Sequence, residues 1–195
     1  MKRKILSLVF ALLLFQYGFA NVYYITTTGN DVSGDGSASN PWRTLKYAVT
    51  RVAANQGHTI QVGAGTFIEN GLVEVPLGVS IEGAGIGSTV FKAVSSFYYH
   101  PTDPGYATDK FLISLSEFNQ LDGNQSLRNF TIDGDSKQLH GGIYVRYRNK
   151  VVIDQVQVQN TNFSGIWLWD VKDSQVTNTQ LVNCSWAARA TVRAH

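Results

Sequence analysis

The feature that most constrains this chain is a repeat. Gly142-Ile143-Tyr144-Val145-Arg146 aligns with Gly165-Ile166-Trp167-Leu168-Trp169 at an offset of 23 residues. At the same offset Ile153, Val156, Val158 and Asn160 meet Val176, Thr179, Leu181 and Asn183. One unit earlier, at an offset of 26, Leu127, Phe130 and Ile132 meet Ile153, Val156 and Val158. Apolar residues therefore fall on apolar residues, unit after unit. A unit of this length with strands and no helix fits one coil of a parallel β-helix better than a helical repeat. One coil cannot bury its apolar side alone, whereas stacked coils pair in parallel and bury a continuous column. Before residue 127 the period blurs.

The local pattern agrees. After Gly57, short β runs alternate with Gly, Asn and Asp turns, at 59–62, 72–75, 79–81, 89–92, 111–115, 127–132, 143–146, 151–158, 166–169 and 175–182. One helix is predicted, over about 41–55, with Leu45, Ala48, Val49, Val52 and Ala53 on one face. Asn40 is placed to cap it and Pro41 to open it. An amphipathic helix here suits the N-terminal cap of a solenoid, whose open edge otherwise templates aggregation. The predicted architecture is all-β: a right-handed parallel β-helix over 21–195, with coils over about 58–185. Residues 185–195 lack the coil rhythm, and solenoids need terminal caps, so the C-terminal part reads as incomplete.

Residues 1–20 read as a secretory signal peptide. Lys2, Arg3 and Lys4 precede an apolar run over 5–15, and Gly18 and Ala20 stand at the −3 and −1 positions of a cleavage site. The run is short of the roughly 20 apolar residues that span a bilayer, so no membrane span is expected once it is removed. The expected location is secreted: extracellular, periplasmic or cell-surface. Three of the 16 Lys and Arg lie in this leader, leaving 13 against 14 Asp and Glu. No basic run remains, and nucleic acid is not an expected partner. The single cysteine, Cys184, permits no intrachain disulfide and reads as a small core residue. The N-x-Ser/Thr sequons at Asn124, Asn129, Asn162 and Asn183 read as by-products of Asn-rich turns. No phosphate loop, dinucleotide fingerprint or metal-ligand spacing appears.

A family resemblance rests on the N-terminal part. Tyr23-Tyr24-Ile25, Thr28-Gly29-Asn30-Asp31 and Gly36-Ser37-Ala38-Ser39-Asn40-Pro41-Trp42-Arg43-Thr44-Leu45 resemble the signature of secreted bacterial right-handed β-helix proteins. Gly57-His58-Thr59-Ile60-Gln61-Val62-Gly63-Ala64-Gly65-Thr66-Phe67 is similar to the strand that follows their cap helix. That group belongs to the pectate-lyase-like superfamily and includes family 9 polysaccharide lyases. The resemblance, over about residues 21–83, implies the fold and a polysaccharide partner. For a lyase of this kind it implies proton abstraction beside a uronate carboxylate by Lys or Arg, with calcium held by clustered Asp. The family's calcium-binding Asp cluster and catalytic Lys have no unambiguous counterpart here.

The repeat also places candidate site residues. With Ile143, Val145, Ile166 and Leu168 inward, period-two alternation sends Tyr144, Arg146, Trp167 and Trp169 outward. Stacking sets Tyr144 against Trp167 and Arg146 against Trp169, about 4.8 Å apart, with Tyr147 and Asp170 at the strand ends. Aromatic faces suit the C–H faces of sugars, and an Arg forks onto carboxylates. Tyr144, Arg146, Trp167, Trp169 and Asp170 are the candidate substrate-binding set. The alternative is packing under a covering segment, with Arg146 in a cation–π contact. Asp133-Gly134-Asp135-Ser136-Lys137 and His140 form a second cluster. There Asp133 and Asp135 are candidate calcium ligands, and Lys137, His140 and Arg146 candidate catalytic groups, against ordinary turn chemistry. Asp31-x-Ser33-x-Asp35-Gly36 resembles half a calcium loop, but Trp42 stands where an EF-hand needs Glu, which favours a plain turn. The two function classes are an acidic-polysaccharide lyase-like enzyme and a non-catalytic glycan-binding or surface β-helix.

Overall fold

The computed structural model describes residues 20–97, 110–136 and 138–191. Residues 1–19 of the expected leader, Lys137 and residues 192–195 of the tail lie outside them. The strands are β1 (Val22–Ile25), β2 (Thr59–Val62), β3 (Gly65–Glu69), β4 (Val73–Glu74), β5 (Ser80–Glu82) and β6 (Thr89–Ala93). They continue as β7 (Phe111–Asp133), β8 (Leu139–Gln159), β9 (Thr161–Trp169), β10 (Gln175–Thr177), β11 (Gln180–Val182) and β12 (Trp186–Thr191). Every pairing between these strands is parallel. The chain is a parallel β-helix.

The coil has three faces. Face A runs β1-β2-β5-β7-β8-β10, face B runs β3-β6-β7-β8-β11, and face C runs β4-β7-β8-β9-β12. β7 and β8 are long because each bends through the corners and serves all three faces. Each face contributes an inward column: Ile60, Ile81, Leu127 and Ile153 on A; Phe67, Phe91, Ile132 and Val158 on B; Val73, Ile113, Ile143 and Ile166 on C. All twelve are buried in one cluster. At about 1.5–3 kcal/mol for each large side chain buried, these columns are the main favourable term. The pairs read from the repeat are the observed register: Ile143 with Ile166, Leu127 with Ile153, Val158 with Leu181. The period blurs earlier because residues 94–110 intervene between face B at Ala93 and face C at Phe111.

Corners turn through left-handed backbone, and these positions repeat with the coil. Positive φ recurs at Tyr147 and Asp170, Lys150 and Asp173, Gln155 and Asn178, and Asn160 and Asn183. The Asn160 and Asn183 amides bond across coils at 2.8 Å, and Asn160 donates onward to Asp133 at 3.0 Å. The ladder lies at the surface, with Asn160 half-buried and Asn183 exposed.

The cap helix is shorter than its apolar pattern. α1 is Leu45–Arg51, capped by Thr44, whose hydroxyl accepts from Tyr47 N–H at 3.2 Å. Asn40 does not cap it. The reason is Trp42, which is buried, stacks on Tyr23 at 5.4 Å and makes a parallel bridge to Ile25, holding the chain extended just before Thr44. Beyond Arg51, Val52 is extended. Two acids complete the cap. Asp31 accepts from Arg43 N–H, Thr44 N–H and the Thr44 hydroxyl at 2.7, 3.1 and 2.7 Å. Glu69, fully buried on face B, accepts from Leu45 and Lys46 N–H at 2.8 and 2.9 Å. Asn30 and Asp35 likewise accept from N–H groups two or three residues on, so the 31–36 segment is a turn closed on its own backbone.

Two predictions follow from these corners and this cap. Gln155 is exposed and left-handed, a conformation Asn tolerates better than Gln. Gln155→Asn is expected to raise stability by about 0.5–1 kcal/mol, read by urea denaturation. Burial pushes the Glu69 carboxyl above the usual range, against two backbone N–H bonds that pull it down. Its folded pKa exceeds its unfolded one, so the stability it contributes is full at acid pH and fades as pH rises through the folded value. The stability difference between wild type and Glu69→Gln, measured by denaturation at a series of pH values, should therefore move in favour of Gln as pH rises above the ordinary carboxylate range.

Candidate functional site

The outer side of face C carries the aromatic residues. Register pairs Tyr144 with Trp167 and Arg146 with Trp169. Ile143, Val145 and Ile166 join the main core, while Tyr144 and Trp167 belong to a separate cluster with Phe111. The alternation holds, but the column is closed. Tyr144 is 5% and Trp167 2% exposed. Their rings lie 5.3 Å apart, Phe111 packs 5.6 Å from Tyr144 and 6.2 Å from Trp167, and Phe163 and Trp169 flank them. Phe111 has no partner of its kind in the repeat. It fits because it lies over Gly141, where a Cβ would come within 2.4 Å of three ring carbons. Burial pushes the Tyr144 hydroxyl up, against the nearby Arg146 charge. These two residues are thus packing rather than an open platform.

The open part is the end of the same face. Arg146, Tyr147 and Trp169 are half-buried. The Arg146 guanidinium carbon stands 4.8 Å from the Tyr147 ring centroid and 6.0 Å from that of Trp169. Arg146 forms no ion pair among the described residues. Its Nε and the indole Nε1 of Trp169 are shielded from solvent without a hydrogen-bond partner there. A guanidinium backed by two ring faces, with no carboxylate against it among the described residues, is suited to an anionic ligand. Asp170 follows Trp169 at a left-handed corner, is buried, and accepts from Gln120 Nε2 at 3.0 Å.

The second cluster lies at the other end of face C, at the corner leading from face B. Asp133 accepts from Asp135 N–H at 3.1 Å and from Asn160. Burial raises its carboxyl, but these bonds and Lys92 hold it below the usual range. The Lys92 ammonium is 3.4 Å from Asp133 and 3.9 Å from Asp135. A calcium ion there would compete with a lysine that already compensates both carboxylates, so the pair does not fit a calcium seat. No group of three or more His, Cys, Asp and Glu placed to hold a metal occurs among the described residues. His140 is buried, its ring stacked on Phe163 at 4.7 Å and edge-on to Phe111, which makes it part of the packed column. Lys137 lies outside the described residues. The structure thus gathers Arg146, Trp169 and Asp170 and separates them from Asp133 and Asp135. The sequence signal for Phe163 was present, since it stands 23 residues after His140. None existed for Lys92, whose coil is split from the next by the 94–110 segment, or for Gln120.

A family profile described as "Protein of unknown function (DUF1565)" matches residues 27–187. The chain belongs to this family. Comparison with curated proteins gives no match. Among solved structures, the DUF1565 chain is similar to one titled rhamnogalacturonan lyase, with TM-score 0.52 and 15% identity over 78% of this chain and 41% of that one. It is similar to ORF18 of Geobacillus virus E2, with TM-score 0.55 and 13% identity over 76% of this chain and 28% of that one. A pectin methylesterase mutant in complex with a hexasaccharide gives TM-score 0.48 at 16% identity, over 82% of this chain and 49% of that one. The chain spans less than half the length of each. At these identities the likeness to the first two concerns the fold alone. No helix among the described residues is long and apolar enough to cross a membrane.

The burial difference along face C gives a direct test. Trp167→Ala is expected to cost about 3–5 kcal/mol, and Trp169→Ala less than half of that, by chemical denaturation. Equal losses would contradict the division into a packed column and an open end.

Proposed function

We propose that this chain is an exported carbohydrate-binding β-helix that holds an acidic, uronate-containing polysaccharide at the open end of face C. Arg146 pairs with a sugar carboxylate, and Trp169 and Tyr147 back the sugar rings. The observation that carries this reading is the guanidinium of Arg146, set against two ring faces with no carboxylate partner among the described residues. A neutral ligand gives no use for that charge, and a nucleic acid calls for many cations where this ledge at the open end of face C carries one, Arg146, among the described residues. The solved structure titled rhamnogalacturonan lyase, similar in fold, supports a glycan as the ligand class. The repeat supports an extended polymer, because successive coils present equivalent rows along one direction.

A lyase-like step is the second reading, and Arg146 is again the observation that favours it. Eliminative cleavage removes the proton next to a uronate carboxylate, and Arg146 is the described candidate base on this face. The residue that would return a proton to the leaving oxygen has no assigned position, so binding is the reading the geometry supports best.

Isothermal titration of the purified chain with oligogalacturonate tests this. Arg146→Ala is expected to weaken binding at least tenfold, about 1.4 kcal/mol, and methyl esterification of the ligand should do the same. Binding of the neutral ester as tightly as the acid would overturn the proposal. Appearance of unsaturated uronate absorbance during the titration would move the assignment to the lyase.

A further inference from the structure

β7 carries an irregularity beside this ledge. Its register with β8 moves from Ser116 opposite Arg146 to Leu121 opposite Arg148, so residues 117–120 stand against Tyr147 alone. Four residues facing one must leave the ladder as a bulge. The bulge is tied at both ends. Glu117 pairs with the buried guanidinium of Arg148, which also donates to Val75 O at 2.6 Å. Gln120 reaches past the coil of Arg146 and Tyr147 to Asp170 on the coil after it. The bulge therefore crosses the corner beside Arg146, Tyr147 and Trp169.

Between the two ties stands Phe118, 93% exposed. A single exposed apolar residue is ordinary on a protein surface, and Val32 is 95% exposed in the 31–36 turn. Phe118 differs in its setting. The residues on either side of it are anchored to buried partners, so the ring is held out from a fixed backbone. The Phe118 backbone stands in the bulge opposite Tyr147, next along the ladder from Arg146.

We infer that residues 117–120 form a wall of the glycan groove and that Phe118 meets a sugar ring of the chain whose carboxylate pairs with Arg146. This rests on the proposed glycan-binding reading and extends it by a specificity-determining side chain. An aromatic face against the C–H side of a pyranose favours that ring over a flexible chain of equal charge. Ligands of two kinds therefore separate the contributions: an oligogalacturonate, and a linear polycarboxylate without rings.

The experiment compares wild type, Phe118→Ala, Phe118→Tyr and Arg146→Ala by titration with both ligands, alongside thermal melts. Phe118→Ala should weaken oligogalacturonate binding about five- to tenfold, leave binding of the ringless polyanion unchanged, and leave the melting temperature unchanged because the side chain is exposed. Phe118→Tyr should restore binding. If Arg146→Ala loses affinity while Phe118→Ala binds the sugar as wild type does, the wall assignment falls and the glycan reading stands. If wild type binds no acidic oligosaccharide, the glycan reading falls and takes the wall with it. A lowered melting temperature for Phe118→Ala would make the ring a packing residue and overturn the inference.

Discussion

Everything in this structure depends on the parallel backbone ladder between coils staying in one register. Each coil exposes its full set of N–H and C=O groups above and below, and only the next coil satisfies them. Slipping the register by one residue would turn Ile, Leu and Val outward and place Thr, Gln and Lys in the core. The inward columns on three faces therefore fix the same register independently. The corners reinforce it. Left-handed residues recur at the coil spacing. The Asn183 side chain bonds to its equivalent Asn160 one coil away, and beside the Gln155 and Asn178 corner Asp154 accepts from Thr177 and Asn178 of the next coil.

The N-terminal end solves a different problem, because the first coil has nothing to stack on. The chain brings a helix there, and the helix brings its own unsatisfied N–H groups. Glu69 satisfies two of them from inside face B, and Asp31 takes the backbone just before them. Two buried polar elements thus organise the molecule, this cap and the corner around Arg148. There the guanidinium donates to Val75 O and approaches Gln125 and Glu117, while Gln125 donates to Val79 O at 2.7 Å. That corner ties residues from successive coils at the base of the 117–120 bulge. It is the reason the end of face C is a fixed surface.

The fold was legible in the sequence where the chain repeats with constant length. The apolar offsets give the register at Leu127 with Ile153, Ile143 with Ile166, Ile153 with Val176 and Val158 with Leu181, because inter-coil stacking selects those positions, and they miss the one-residue shift between Leu139 and Gly141. It was less legible where coils differ in length, since the 94–110 segment hides the relation between Phe91 and Ile132. Helix bounds failed at Pro41 and Trp42 because tertiary burial of the indole outweighed local helical signals. At the site, alternation correctly named Tyr144, Arg146, Trp167 and Trp169 as one outer row. It could not tell which were covered. Closure of the column depends on Phe111, which sits opposite a glycine and so carries no periodic signal. The Asp133 and Asp135 turn looked like a cation site because its lysine counter-charge comes from a coil that the period does not reach.

Register places Arg146, which has no ion-pair partner among the described residues, and its aromatic backing at the open end of a closed column. The most direct measurement follows the tryptophan indole N–H resonances by NMR while an acidic oligosaccharide is added, with Trp167→Phe and Trp169→Phe supplying the assignments. The account predicts that the Trp169 resonance moves in proportion to saturation, that the Trp167 resonance stays within the small range expected of a packed core residue, and that the methyl ester of the same oligosaccharide moves neither. Movement of Trp167 with Trp169 unmoved, or an equal response to acid and ester, would contradict it.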